Sequence, residues 1–348
     1  MAKPKENLKD LSFEELKSRL KDLGEEAYRA KQIFVRLYQR GAKDFNEMSD
    51  LPTSLRQTLR NKFRISTYDI IKRQISKLDG TRKYLFGLED GETIEAVLIP
   101  TEKRNTVCLS SQVGCTFGCK FCASGLAGIK RDLRSSEILD QVLGVLDDLK
   151  SNRINNIVMM GMGEPLANYD NVMKAISILN SPFGFGIGAR KITVSTAGYI
   201  PGIRRFMDEK AQIELSVSLH SANYEVRSRL MPINKKYPLV ELMKVCRDYV
   251  KEKGRIITFE YVLIKDVNTS REDAVTLSKL LNGLPCKVNL IPFNPVSNFD
   301  FLPPSNKDVK EFQKILENRG INSTIRTQRG ADIDAACGQL RLHEIKIK

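Results

Sequence analysis

Three rhythms of apolar and polar positions follow one another along the chain. From Leu11 to Arg64 apolar residues recur at helical spacing, as in Phe13, Leu16 and Leu20 and again in Ile33, Phe34 and Leu37. Ser12 followed by Glu15 reads as a capping box, and Ser49 to Pro52 opens a later helix. From Thr67 to Pro100 the period shortens. Ile70-Ile71, Ile75, Tyr84-Leu85-Phe86 and Ile94 to Ile99 are short apolar stretches separated by Asp79-Gly80 and Asp90-Gly91, dipeptides that favour hairpin turns.

After Asn105 a strand pattern and a helix pattern alternate. Thr106 to Ser110 precedes Ser135 to Leu149, Ile157 to Met160 precedes Val172 to Leu179, and Ile192 to Ser195 precedes Ile203 to Met207. Ile213 to Leu219 precedes Leu239 to Val250, Ile256 to Ile264 precedes Glu272 to Leu281, and Val288 to Ile291 precedes Val309 to Leu316. Six strand-then-helix units imply parallel strands with right-handed crossovers. The periodicity alone leaves open a doubly wound sheet or a barrel short of eight strands. The tail from Ile325 to Lys348 reads as a short strand, a glycine-marked loop with Cys337, and a basic end.

Composition adds a partner class. With 348 residues, 41% hydrophobic and 28% charged, the chain is long enough for a sizeable core and lies far from the disordered range. Its 56 basic against 42 acidic residues give a net charge of +14, which favours a polyanionic partner. The N-terminal helical stretch shares the bias, with Arg29, Lys31, Arg36, Arg40, Arg56, Arg60, Lys62 and Arg64 as candidates for phosphate contact. Met1 to Lys17 holds no continuous apolar run, and no stretch approaches the roughly 18 apolar residues of a spanning helix. A soluble cytoplasmic protein is expected.

Seven cysteines, an odd number, make a poor disulfide framework and suit a reducing compartment with a metal or redox role. Cys115, Cys119 and Cys122 form C-x3-C-x2-C directly after the first strand of the alternating region. Spacing of this kind would put the three on one face of a helix, but Gly114 and Gly118 oppose a helix and let the backbone wrap around a bulky ligand. Three thiolates hold zinc if a fourth ligand arrives, or three irons of a four-iron cluster with the fourth iron open. His220 and His343 are the only imidazoles in the chain, so an iron–sulfur site is the working reading.

This motif, with an aromatic before its last cysteine and a position at a strand end, resembles that of the radical S-adenosylmethionine enzymes. The resemblance implies an α/β fold built as a partial (βα)6 barrel and a [4Fe-4S] cluster whose open iron chelates S-adenosylmethionine. Gly161-Met162-Gly163-Glu164-Pro165 follows the second strand and resembles the family's glycine-and-acid motif, which casts Gly163 and Glu164 as receivers of the amino group. Ser195, Ser218-Leu219-His220 and Asn294 stand at or just after later strand ends, where such sheets gather their active sites, and by resemblance complete the pocket. Taken singly, Ser195 and Asn294 read as helix-capping turn residues and His220 as a hydrogen-bonded structural histidine.

Arg329 to Leu340, which contains Cys337, and Thr106 to Cys115, which contains Cys108, together resemble the RlmN and Cfr class of radical RNA methyltransferases over essentially the whole chain. The resemblance divides the chain into an RNA-binding N-terminal helical domain at 1–64, a β-hairpin connecting region at 65–104, and the barrel with its catalytic-cysteine loop at 105–348. It implies two S-adenosylmethionine molecules per turnover, one as methyl donor and one as radical source. Cys337 would carry the methyl group, and its methylene radical would add to an adenine ring. Glu95 would take the ring proton, and Cys108 would attack the Cys337 sulfur to release the product, leaving a disulfide. Alone, Glu95 would read as an ordinary strand carboxylate. Cys246, on a helix face, and Cys286, beside Pro285, read as packing residues.

By the same resemblance the substrates are an adenine of the peptidyl-transferase region of 23S rRNA and the adenine beside the anticodon of some tRNAs, each presented unstacked. An electron donor such as flavodoxin and a monomeric state are expected with them, and no membrane. Two other readings compete: methylation at C8 of the same rRNA adenine, and a non-enzymatic iron–sulfur or zinc RNA-binding protein that senses redox state. The first would give a different modified nucleoside. The second would bind RNA without cleaving S-adenosylmethionine and would leave Cys108 and Cys337 without a task.

Overall fold

The computed structural model describes residues 5–126, 128–149, 153–296 and 299–340. The basic end of the tail and His343 lie outside these residues.

The N-terminal helices follow from the pattern. Helix α1 (Phe13–Asp22) starts on the expected capping box, with Glu15 N–H donating to Ser12 Oγ and Ser12 N–H to the Glu15 carboxylate, a device typically worth about 1 kcal/mol. Helix α2 (Tyr28–Phe34) runs on into a π-turn at Val35–Gln39, and α3 (Thr53–Lys62) begins after Pro52. A short parallel pair, β1 (Glu6–Asn7) with β2 (Phe63–Arg64), brings the two ends of the module together.

The module is docked by charge and by rings. Lys9 and Asp140, both almost fully buried, meet at 2.5 Å, and Ser66 Oγ donates to the other Asp140 oxygen at 2.9 Å. Phe13 packs on Phe183 with centroids 5.2 Å apart, and Tyr38 on Phe185 at 5.4 Å.

Strands β3 (Asp69–Ile75), β4 (Arg82–Gly87) and β5 (Thr93–Pro100) form an antiparallel meander. Gly80 and Gly91 adopt left-handed φ of 71° and 84° at its two turns, which explains the Asp-Gly pairs. The meander then pairs antiparallel with β6 (Asn105–Cys108), a contact between segments whose local pattern announces no partner.

The hairpin β7 (Gln112–Gly114) and β8 (Ile129–Asp132) brackets the cysteine loop, and the sequence pattern shows neither strand. Helix α4 (Ser135–Leu149) leads to β9 (Asn156–Met159), α5 (Tyr169–Asn180), β10 (Ile192–Thr196), α6 (Ile200–Met207) and β11 (Glu214–Ser218). Then come the short α7 (Tyr224–Leu230), also absent from the pattern, and α8 (Leu239–Lys253), β12 (Ile257–Leu263), α9 (Arg271–Leu281), β13 (Cys286–Pro292), α10 (Asn306–Glu317) and β14 (Asn322–Ile325).

One sheet has the order β14-β13-β12-β11-β10-β9-β6-β5-β4-β3. From β6 to β14 every neighbouring pair is parallel. Among the described residues the ladder does not close on itself, so the fold is an open, partial barrel extended on one side by the meander. Strand β12 is buried along its whole length, as a central strand covered on both faces should be.

Candidate active site

The cysteine loop leaves β7 at Gly114, whose φ of 81° lies in the left-handed region and whose absent Cβ would otherwise fall 1.9 Å from the Gly128 carbonyl oxygen. No helix runs through Cys115 to Cys122. The loop continues the hairpin instead, and Cys115, Cys119 and Cys122 all face one cavity at the C-terminal strand ends. Burial pushes all three thiols up, that of Cys115 to about 12, and the Cys122 sulfur adds to the shift at Cys115 and Cys119. Such thiols become good ligands only when a cation displaces their protons.

Among the described residues no three Cys, His, Asp or Glu side chains are close enough to hold a single metal ion. In a four-iron cluster three cysteines bind three different irons, so they need not converge on one point. Three half-buried cysteines facing one cavity fit that group.

The glycine-rich turn after β9 forms the adjoining wall. A Cβ at Gly163 would lie 2.5 Å from the Gln112 side chain, and one at Gly161 would lie 2.7 Å from the Leu109 backbone. Only glycines allow this packing against the base of the cysteine loop. Glu164 is buried; its oxygens accept from the Ala197 N–H at 2.7 Å and the Leu166 N–H at 3.2 Å. Burial raises its pKa to about 7, against the opposing effect of those hydrogen bonds. A cationic group entering the cavity would therefore find a carboxyl ready to ionise.

Ser195, Ser218, His220 and Asn294 all line the same cavity. His220 has a φ of 57°, and its Nδ1 accepts from the Val262 N–H at 3.0 Å, which leaves the proton on Nε2. Burial and the nearby Arg227 guanidinium hold its pKa down at about 3, so the ring is neutral. Leu219 is different: its side chain is fully buried in the core and does not line the cavity. What its position contributes is a backbone carbonyl that accepts from Arg227 Nε at 3.1 Å.

A second, larger cleft of about 870 Å³ runs beside the first cavity. Cys108 lines this cleft, and Cys337 and Asn294 line both spaces. Cys108 and Cys337 are free thiols, the first buried and the second exposed. The Cys108 thiol is pushed up to about 12 by burial and then by the neighbouring Cys337 sulfur.

The loop that carries Cys337 is fastened on several sides. Asn294 Nδ2 donates to the Cys337 carbonyl at 2.9 Å, Ala123 N–H to the Gly338 carbonyl at 2.7 Å, and Ser124 Oγ to the Leu340 carbonyl at 2.7 Å. Glu95 is not a lining residue of either space, although it is two positions from Val97, which lines the larger one. It is buried in β5 and paired with Lys83 at 3.1 Å.

Sequence reasoning passed over Arg326 and Glu260. Arg326, at the end of β14, lines both spaces. Its pKa is raised by the Cys337 sulfur first and by Glu260. Glu260 interrupts the apolar run of β12, and that interruption was a usable signal. Ser216 Oγ donates to its Oε1 at 2.7 Å and Asn289 Nδ2 at 2.9 Å, while Oε2 is buried without a hydrogen-bond partner.

The basic residues of the N-terminal module are largely engaged within the protein. Arg29 pairs with Glu25, Arg36 with Asp50, Arg60 with Asp44 and Arg64 with Glu89. The cleft itself is basic, with Arg104, Lys287, Arg326 and Arg329 among its lining residues.

Comparison with known proteins matches residues 109–277 to the radical SAM superfamily and residues 6–65 to the ribosomal RNA large subunit methyltransferase N-terminal domain. A probable dual-specificity RNA methyltransferase RlmN of Thermoanaerobacter sp. (strain X514) is 49% identical over 340 residues, which is 98% of this chain and 99% of the relative. One from Clostridium perfringens (strain SM101 / Type A) is 45% identical over 342 residues, 98% of each. The crystal structure of a radical SAM methyltransferase from Sphaerobacter thermophilus superposes with a TM-score of 0.92 at 45% identity, covering 97% of this chain and 99% of that one. The cysteine loop, the glycine-and-acid turn and the Cys337 loop thus stand in a chain that belongs to the RlmN family of dual-specificity RNA methyltransferases, radical SAM enzymes that use a [4Fe-4S] cluster and S-adenosylmethionine.

Proposed function

We propose that the protein methylates C2 of an adenine in the peptidyl-transferase region of 23S rRNA and of the adenine beside the anticodon in tRNAs, using Cys337 as the methyl carrier. The observation that carries this reading is the position of Cys337 on the wall between two spaces. On one side are the three cysteines of the loop together with Glu164, Ser195, Ser218, His220 and Asn294. On the other is a basic cleft, roomy enough for an unstacked nucleotide, that also reaches Cys108.

The reading assigns Cys115, Cys119 and Cys122 to the cluster. When bound there, a [4Fe-4S] cluster supplies the electron that cleaves S-adenosylmethionine to a 5′-deoxyadenosyl radical. Glu164 and the turn at Gly163 receive the amino group of S-adenosylmethionine, and Ser195, Ser218, the Leu219 backbone, His220 and Asn294 complete its pocket. Cys337 takes the methyl group of one S-adenosylmethionine by in-line attack of its thiolate, releasing S-adenosylhomocysteine. The 5′-deoxyadenosyl radical from a second then takes a hydrogen atom from that methyl group, becoming 5′-deoxyadenosine, and the methylene radical left on the sulfur adds to C2 of the base. Glu95 accepts the ring proton as the adduct gives up one electron, equal to the one spent on the cleavage. Cys108 then attacks the Cys337 sulfur, so that the carbon takes up a proton and leaves with the RNA as a methyl group, and a Cys108–Cys337 disulfide remains. The division into an RNA-binding helical module at 1–64, the hairpin region at 65–104 and the catalytic region at 105–348 belongs to this reading. So do a flavodoxin-like electron donor, a monomer, and action in the cytoplasm. Among the described residues no helix is long and apolar enough to cross a membrane.

The test is anaerobic. The reconstituted protein receives S-adenosylmethionine, a reductant and an unmodified 23S rRNA fragment or tRNA, and the digested RNA is analysed by mass spectrometry. C2-methyladenosine with release of 5′-deoxyadenosine supports the proposal. C8-methyladenosine would reassign the regiochemistry, and RNA binding without cleavage of S-adenosylmethionine would overturn the enzymatic reading.

A further inference from the structure

The register of the sheet makes one row of residues across four strands. Lys83 pairs with Val97, Val97 with Cys108, and Cys108 with Val158. Residues directly opposite one another on neighbouring strands share a face, as do residues two apart on one strand. Lys83, Val97 and Cys108 therefore lie on the same face as Glu95, which is two positions before Val97. Val97, Cys108 and Val158 present that face to the basic cleft. The same sheet face carries a buried ion pair, Lys83 Nζ to Glu95 Oε1 at 3.1 Å, with side chains 5% and 2% exposed.

Two charges are not kept in such a place for stability alone, because desolvation offsets much of their attraction. The pair also reaches the far end of the chain. Lys83 Nζ donates to the Asp334 carbonyl at 3.1 Å, three residues before Cys337. Asp334 has a left-handed φ of 51°, an uncommon conformation for this residue type that helps set the direction of its carbonyl. The turn before β4 holds the same loop. Gly330 N–H donates to Asp79 Oδ2 and Lys77 N–H to Asp332 Oδ2, both at 3.0 Å. A Cβ at Gly330 would lie 2.7 Å from that of Ala335 and 2.8 Å from Thr81 Cγ2, so hairpin and loop are in close contact.

We infer that Lys83 is a positioning residue of the methyl-transfer reaction. Its ammonium sets a counter-charge against the Glu95 carboxylate beneath the Cys337 loop and ties that loop to the strand that pairs with β5. The inference rests on the reading of Glu95 as the proton acceptor and deepens it. In the step concerned the proton passes from the ring carbon to a Glu95 oxygen and the electrons of the broken C–H bond stay on the ring. The Lys83–Glu95 ion pair becomes an ammonium beside a neutral carboxyl, and Lys83 keeps its own proton throughout. Without the ammonium, Glu95 loses the buried counter-charge that it is paired with, and breaking a buried pair leaves its remaining partner poorly accommodated. Methylation of Cys337 involves no ring proton and does not depend on this charge.

The experiment uses cluster-loaded Lys83→Met, Lys83→Gln, Lys83→Arg and Glu95→Gln enzymes with S-adenosylmethionine, reductant and an RNA fragment that the wild-type enzyme methylates. Three quantities are followed: S-methylation of Cys337, the covalent protein–RNA adduct on denaturing gels, and methyladenosine after digestion. Lys83→Met is expected to retain Cys337 methylation, to accumulate the adduct, and to form methyladenosine about 100-fold more slowly, a loss typical of general acid–base contributions. Lys83→Gln, which can still donate to the Asp334 carbonyl but carries no charge, should show the same partition and stands in if Lys83→Met does not fold. Lys83→Arg, which keeps the charge, should recover most of the product. Wild-type partition in the uncharged variants, with adduct trapped by Glu95→Gln, would overturn the role of Lys83 alone. Normal turnover by Glu95→Gln would overturn the acceptor reading and this inference with it. Loss of Cys337 methylation in a folded, cluster-loaded Lys83→Gln enzyme would overturn the assignment in favour of a purely structural tether.

Discussion

The side-chain amide of Asn294 donates a 2.9 Å hydrogen bond to the backbone carbonyl of Cys337. A residue just after β13 thus fixes the backbone of the proposed carrier thiol, at the boundary of two spaces that both residues line. Losing this bond leaves the carbonyl without that donor and the thiol less well aimed. Asn294→Ala is expected to slow S-methylation of Cys337 by about tenfold or more, measured by mass spectrometry of the protein after a single exposure to S-adenosylmethionine. Unchanged methylation would show that the other fastenings of the loop suffice.

Removing either outlying thiol should stop the reaction at a different place. Cys337→Ala retains cluster iron and yields no methylated RNA. Cys108→Ala retains methylation of Cys337 and accumulates a protein–RNA species on denaturing gels. The two outcomes separate the roles proposed for the thiols, and identical behaviour of the two variants would remove the distinction.

The Lys9–Asp140 pair anchors the N-terminal module to α4. Lys9→Ala leaves a buried carboxylate facing only Ser66 and should cost about 3–5 kcal/mol, read from the denaturant midpoint. Lys9→Met combined with Asp140→Leu should recover most of that loss, because breaking a buried pair costs more than replacing both partners with apolar groups.

Acid should loosen the turn between β4 and β5. The Arg131 hydrogen bond holds Asp90 below its ordinary pKa of 3.8, and Arg64 and Arg134 hold Glu89 below 4.5 against the opposing effect of burial. Both folded-state values are depressed, so the stability they contribute is fully present above these ordinary values and is lost as pH falls through the folded values. Between pH 6 and pH 3 the denaturation midpoint should fall more steeply for the wild-type protein than for Glu89→Gln/Asp90→Asn. Parallel curves would show that these pairs contribute nothing measurable.

The six strand-and-helix units were legible because parallel strands covered by helices carry short, largely apolar runs, unbroken in Ile157 to Met160. The cysteine loop was legible because three thiols and two glycines in nine residues have few other uses. The pairing of β5 with β6 was not, since antiparallel partners carry no mark of each other's identity beyond the length of a turn. Lys83 was hidden beside the apolar run Tyr84-Leu85-Phe86 and Glu95 among the apolar residues Ile94 to Ile99, where only register reveals that the two charges meet. Leu219 was grouped with Ser218 and His220 by position, but just past the end of β11 its side chain is buried in the core while its two neighbours line the cavity.

The contact between Lys83 and the Asp334 carbonyl, like that between Asp79 and Gly330, joins residues 251 positions apart. Synthesis runs from the N-terminus, so the meander, the cysteine loop and most of the parallel strands leave the ribosome before the segment that these contacts fasten. The thiol proposed to carry the methyl group is consequently set in place late, and a nascent chain can shape its metal-binding loop well before it can modify any RNA, including that of the ribosome making it.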